Sequence, residues 1–106
     1  MNFAAFDWDR GNREKGEKHS VSTAEVEEIF ARTVFVSPDP AHSAAEERFK
    51  AIGVTAKGRR LFVVFPWRKR GDELLLRPVS ARYMHAKEIA AYEEIAREQK
   101  ELPGSQ

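Results

Sequence analysis

A chain of 106 residues is one domain, long enough to bury roughly two-thirds of its extended surface in a single modest core. Hydrophobic residues are 42% and charged residues 33%, so a core is possible beneath a densely charged surface, while the net charge of +1 points to no partner. The longest apolar run, Leu61 to Trp67, is interrupted by Pro66 and falls far short of the about twenty residues a membrane span needs. No basic-then-apolar leader opens the chain. The absence of cysteine excludes disulfides, thiol catalysis and cysteine metal sites, and fits a reducing compartment, so a cytoplasmic location is expected.

Residues 9–19 read as a short polar helix capped by Asp9, weakened by Gly11 and Gly16. A better-signalled helix follows. Ser22 and Glu25 form a capping box, Val21 can staple to Val26, and Val26, Ile29, Phe30 and Thr33 make one apolar stripe. Residues 37–43 form a loop, because two prolines in three residues forbid regular pairing. A strand is expected from about Glu47 to Thr55, a turn at Lys57-Gly58, and a strongly β-prone run from Arg60 to Trp67. Arg68 to Asp72 reads as a second turn and Glu73 to Ala81 as a third strand. The last helix runs from about His85 to Lys100, with Ile89, Tyr92 and Ala96 on its buried side, and Pro103-Gly104 stops it. The expected fold is α+β: two N-terminal helices, an antiparallel sheet of three to four strands, and a C-terminal helix. A further short strand at Phe3–Trp8 or at Thr33–Val36 stays open. Residues 1–102 form the single domain, and 103–106 a disordered tail.

The near-zero charge hides an asymmetry. Residues 51–82 hold eight bases (Lys57, Arg59, Arg60, Arg68, Lys69, Arg70, Arg77, Arg82) and two acids, a net of +6. A basic middle between acidic segments suits a polyanion, although Lys57, Arg59, Arg68, Lys69 and Arg70 are each equally well solvated turn residues. Asn12, Lys15 and His19 share a helix face, with Lys18 beside them. A histidine next to lysines suits acid–base work beside phosphate, and also suits a helix C-terminus. Asp39-x-x-His42 has ligand-like spacing but supplies only two ligands, so no metal is expected and Asp39 is read as bracing the proline loop. Arg77 and Arg82 offer the rigid donor fork that matches phosphate. Strict alternation puts them on opposite faces, whereas a bulge at Pro78 would bring them to one side. Without it, Arg77 is a half-buried structural arginine. No P-loop, dinucleotide fingerprint, zincin or nucleophile-elbow motif occurs, and no cofactor is expected.

The ordered series Trp8-Asp-Arg-Gly-Asn12, Lys15, Lys18-His19-Ser-Val-Ser22, Pro38-Asp-Pro-Ala-His-Ser-Ala-Ala-Glu-Glu-Arg48, and Arg77-Pro-Val-Ser-Ala-Arg82-Tyr-Met-His85 resembles the BrnT toxin family. The likeness spans residues 6–93. It implies a RelE-like fold and a small ribonuclease that halts translation by cutting RNA. It also implies a cognate antitoxin, often of ribbon-helix-helix type, and operator DNA bound only through the toxin–antitoxin complex. Two departures stand out: Ser20 where glycine is usual, and Pro66-Trp67 where a threonine is expected at the end of the central strand.

Two readings follow. In the first, the chain is a metal-independent endoribonuclease that uses the RNA 2′-hydroxyl as nucleophile. Arg77 and Arg82 clamp phosphate, Lys18 and His19 share proton transfer and electrostatics, and Glu47 is a candidate base. Lys15, Lys57, Arg59, Arg60, Arg68, Lys69, Arg70 and Tyr92 hold flanking RNA. In the second, the same face is a non-catalytic module that binds the antitoxin or nucleic acid.

Overall fold

The computed structural model describes residues 2–101, with side chains as far as Glu98. The Pro103-Gly104 stop and the expected tail at 103–106 lie outside the described residues. Helix α1 spans Arg10–Glu17 and is capped as expected: Asn12 N–H donates to Asp9 Oδ1 at 3.0 Å, and Asp9 N–H donates to Asn12 Oδ1 at 2.7 Å. It ends two residues earlier than the spacing suggests. Ser20 turns into the left-handed region at φ +62°, with Ser20 N–H donating to Glu17 O and Val21 N–H to Gly16 O, both at 2.9 Å. That is a Schellman stop, whose left-handed residue is usually glycine. The geometry gives a physical reason for the glycine that the resemblance leads one to expect at this place. A left-handed L-residue costs about 1–2 kcal/mol, part of which a glycine returns as extra freedom of the unfolded chain. Ser20→Gly should therefore raise stability by up to about 1 kcal/mol and Tm by roughly 4–8 °C in a thermal melt. An unchanged or lower Tm would show that Ser20 bears no strain.

Helix α2 spans Thr23–Ala31, with the Ser22–Glu25 capping box in place and Val21, Val26 and Ile29 buried together. Thr33, expected on the same stripe, lies beyond the helix and is exposed. Both short strands left open by the sequence exist: β1 at Ala5–Phe6 and β2 at Val34–Pro38. Strands β3 (Phe49–Val54) and β4 (Arg60–Phe65) follow, then β5 (Trp67–Arg70), β6 (Glu73–Leu76), β7 (Ser80–Tyr83) and helix α3 (Ala86–Glu101). The main sheet has the order β2-β3-β4-β7, antiparallel throughout. A small second sheet has the order β1-β6-β5, with β1 parallel to β6.

Several boundaries differ from the sequence expectation: Ser37 and Pro38, expected in the loop, pair with Lys50 and Phe49 as the end of β2. Residues 68–70 belong to a strand, and the hairpin turn is only Gly71-Asp72, with Gly71 at φ +61°. The expected strand over 73–81 is broken at 77–79, because Pro78 has no N–H for a ladder. Pro66 interrupts the facing strand in the same way, so the hairpin passes from one sheet to the other at this paired break; Arg77 N–H still donates to Pro66 O at 3.2 Å. Finally, β3 starts at Phe49 rather than Glu47, since Arg48 N–H is taken by Ser43 Oγ at 2.9 Å.

The register decides the two faces of the main sheet. Ala51, Gly53, Leu61, Val63 and Ala81 face α1 and α2 and form the core with Val21, Val26, Ile29, Phe65 and Leu76. Phe35, Ile52, Phe62 and Arg82 face the other way, toward α3, where Tyr92 sets its ring edge-on to Phe35 at 5.8 Å. No helix among the described residues is long and apolar enough to cross a membrane.

Candidate functional site

The basic middle of the chain does not remain a free positive field. Arg60 pairs with Glu93 at 2.5 Å, Arg68 with Glu46 at 2.6 Å, and Arg70 with Glu73 at 3.2 Å. Arg77 pairs with Asp9 at 2.7 Å and Asp7 at 3.4 Å, and Arg82 with Glu88 at 2.7 Å. Only Lys57, Arg59 and Lys69 of the eight have no ion-pair partner among the described residues. The neutralising acids come mostly from distant segments, which a running charge count cannot anticipate.

Arg77 and Arg82 are not brought together. Pro78 O accepts from buried Asn12 Nδ2 at 2.9 Å, which ties the β6–β7 break to α1. Arg77 therefore lies on the α1 side. It shares a recess of about 410 Å³ with Asp9, Asn12, Lys15 and Val79. The Asn12 N–H and then Arg77 hold the Asp9 carboxyl below its usual range. Arg82 lies on the α3 side, over the Phe62 ring at 4.7 Å, and grips both Glu88 oxygens at 2.7 and 2.8 Å. That grip, then the His85 N–H, holds the Glu88 carboxyl down at about 2. Asn12, expected on one chemical face with Lys15 and His19, is 6% exposed and structural, and His19 lies beyond the helix end.

A second cluster surrounds the turn between α1 and α2. Lys18 and His19 are exposed there and, among the described residues, in no ion pair. Tyr83, on the edge strand β7, donates its hydroxyl to Glu25 at 2.8 Å, and Ser20 O lies at 3.3 Å. The Arg59 guanidinium sits over the Tyr83 ring, 3.8 Å from its centroid. The turn that carries Lys57 and Arg59 is pinned from two sides. Thr55 Oγ1 accepts from Arg59 N–H at 3.1 Å, and Glu28 of α2 accepts from Ala56 N–H. Burial pushes the Glu25 carboxyl up, but hydrogen bonds from Tyr83 and Ser22 outweigh it and leave it below its usual range. Burial, then Glu25, pushes the Tyr83 phenol up, so it stays a donor. Sequence reasoning missed Tyr83 and read Glu25 only as a cap. The available signal was alternation, which turns Tyr83 to the face opposite Arg82.

The third locus is the loop over 39–48. His42 Nδ1 lies 2.6 Å from Asp39 Oδ2. Glu46 accepts from Arg68 at 2.6 Å and from Arg48 at 3.4 Å, and these two guanidiniums, Arg68 first, hold its carboxyl below the usual range. Glu47 is exposed and lines a recess of about 420 Å³ with Asp39, Ser43 and Arg48. It stands at the opposite end of the sheet from Lys18 and His19. Tyr83 pairs with Leu61 while Phe49 pairs with Phe65, and four residues of strand span about 13 Å. Lys69 and Arg70 are exposed on β5, and Tyr92 is half-buried against Phe35. No group of three or more possible metal ligands occurs among the described residues.

A family model described as the ribonuclease toxin, BrnT, of type II toxin–antitoxin systems matches residues 8–88. The matched span opens at Trp8, beside the Asp9 cap, and closes at Glu88, the carboxylate that holds Arg82. No curated protein matches the chain.

Proposed function

The chain belongs to the BrnT family of ribonuclease toxins from type II toxin–antitoxin systems, and from that premise we propose that it is a metal-independent endoribonuclease that inhibits translation by cutting RNA. A cognate antitoxin of ribbon-helix-helix type neutralises it, and operator DNA is met only through the complex of the two. Its action on translated RNA is cytoplasmic. RNA carries its own nucleophile, the ribose 2′-hydroxyl, so the protein needs only to move protons and stabilise charge on phosphorus.

The observation that carries this reading is Arg59 on the Tyr83 ring, with the Tyr83 hydroxyl at Ser20 O, the residue that follows Lys18-His19; among the described residues none of Lys18, His19, Lys57 and Arg59 is in an ion pair. Cations without carboxylate partners are available to phosphate. The Arg59–Tyr83 pair adds a positively charged surface on which a base can lie. Lys18 and His19 hold backbone phosphate there, and Lys15 continues the cationic line along α1 toward Arg77. Arg68, Arg77 and Arg82 join only by exchanging a carboxylate for a phosphate, which the charge and fork of the guanidinium permit. Until then Arg82 fastens α3 to the sheet.

The test is incubation of purified, antitoxin-free protein with a structured RNA in excess EDTA, with folding followed by circular dichroism. Cleavage into fragments ending in 2′,3′-cyclic phosphate and 5′-hydroxyl is expected. Intact RNA with a well-folded protein, both with and without ribosomes, would overturn the nuclease reading in favour of a binding module.

A further inference from the structure

We propose that His42 is the general base of the RNA cleavage step and that Asp39 is the residue that positions it; the inference rests on the ribonuclease reading above. The loop over 39–48 is built around this pair. The Asp39 side chain is 7% exposed, yet its one hydrogen-bonding side chain among the described residues is His42, whose own side chain is 52% exposed. A buried carboxylate is costly unless it is partnered.

Bracing the loop does not account for it. The brace is made by other atoms: Asp39 N–H donates to Arg48 O at 2.9 Å, Ser43 Oγ to Asp39 O at 2.7 Å, and Arg48 N–H to Ser43 Oγ at 2.9 Å. The Asp39 carboxylate makes no helix-cap bond. It is left to hold the imidazole at Nδ1, and in the neutral ring an Nδ1–H held by Asp39 leaves the lone pair on Nε2. A buried acid that orients an exposed imidazole is the arrangement that acid–base catalysis needs. Among the described residues His19 has no such partner.

The same loop offers something to hold an anion. Arg48 Nε is buried without an acceptor, and the Arg48 and Arg68 guanidiniums converge on Glu46. Nε is closed off from solvent, so a phosphate would meet the outer guanidinium nitrogens and take them over from Glu46.

The step balances as follows. His42 Nε2 takes the proton of the 2′-hydroxyl as the 2′-oxygen–phosphorus bond forms. The phosphorus–5′-oxygen bond breaks, and the 5′-oxygen takes a proton from water. The imidazolium then returns its proton to the hydroxide.

His42→Ala, His42→Gln and Asp39→Asn would be compared with wild type on RNA in EDTA. His42→Ala should lower kcat by about 10²–10⁴-fold with little change in KM, and added imidazole should restore part of it. His42→Gln, which can still donate an N–H to Asp39, should lose as much, separating chemistry from loop folding. Asp39→Asn should lower kcat by roughly 10–100-fold. Wild-type kcat in His42→Ala, activity retained in His42→Gln, or a loss that imidazole does not touch would overturn the proposal while leaving the nuclease reading intact. A wild type that does not cut would overturn both.

Discussion

Replacing Asn12 by alanine will destabilise the fold by about 2–4 kcal/mol, the sum of three lost hydrogen bonds and the groups they leave unsatisfied. Asn12 is the peg between α1 and the break in the long hairpin. Its Nδ2 donates to Asp7 O at 2.8 Å and to Pro78 O at 2.9 Å, and its Oδ1 accepts from Asp9 N–H at 2.7 Å. The Pro78 carbonyl matters most. Pro78 is fully buried, so water cannot replace the lost donor, whereas Asp9 is exposed and can turn to solvent. Equilibrium urea unfolding should show a lower midpoint at an unchanged m-value. Asn12→Asp should be at least as damaging, because it keeps the acceptor but sets a carboxylate against two carbonyl oxygens. A loss below about 1 kcal/mol in the alanine variant would mean that the β6–β7 break holds its shape without α1.

Gly53→Ala should cost about 1–3 kcal/mol, a penalty for overpacking rather than for lost contacts. Strand β3 and helix α2 approach so closely that a Cβ at residue 53 would stand 2.7 Å from Ile29 Cβ, with Ile29 Cδ1 and Cγ2 at 3.3 Å. Ile29 is wholly buried. The nearest atom is fixed by the helix backbone, so a rotamer change cannot relieve the clash, and α2 must move off the sheet. The contact atom is a Cβ, so adding Ile29→Ala clears the two outer carbons and leaves the closest approach in place. The double variant should therefore remain less stable than Ile29→Ala alone. Full recovery of stability in that background would show that the outer carbons, not the backbone approach, set the limit.

Both effects lie where local pattern and tertiary contact meet. The capping boxes at Asp9 and Ser22 were legible in the sequence, because a cap is made by residues three apart on the same turn. The β-prone run over 60–67 and the last helix were legible for the same reason: their periodicity is local. Pro78 was legible as a bulge and Pro66 as altering the end of the central strand, but the strands over 60–67 and 73–81 were read through both, and the structure breaks each there. What the sequence did not reveal was that the two breaks face each other, and so pass one hairpin between two sheets.

The candidate site was less legible than the fold. Lys18 and His19 were visible as a motif, and the ordered likeness to BrnT toxins placed the chain in its family. Their neighbours Tyr83 and Glu25 are 58 residues apart in sequence and meet only because β7 ends beside the α1–α2 turn. Asp39 and His42 were read only as a metal-ligand spacing that falls short of a site, and spacing does not say that one side chain is buried and the other exposed.

By itself, then, the sequence determined the domain's class, its helix starts, its main strands and its family, all carried by residues near one another along the chain. The tertiary structure alone decided the charges. It set Arg77 against Asp9 from 68 residues away and Arg60 against Glu93 from 33, and among the described residues it left Lys18, His19, Lys57 and Arg59 in no ion pair. An ion pair depends on distance in space, and chain order fixes that distance only within a turn or a strand pair.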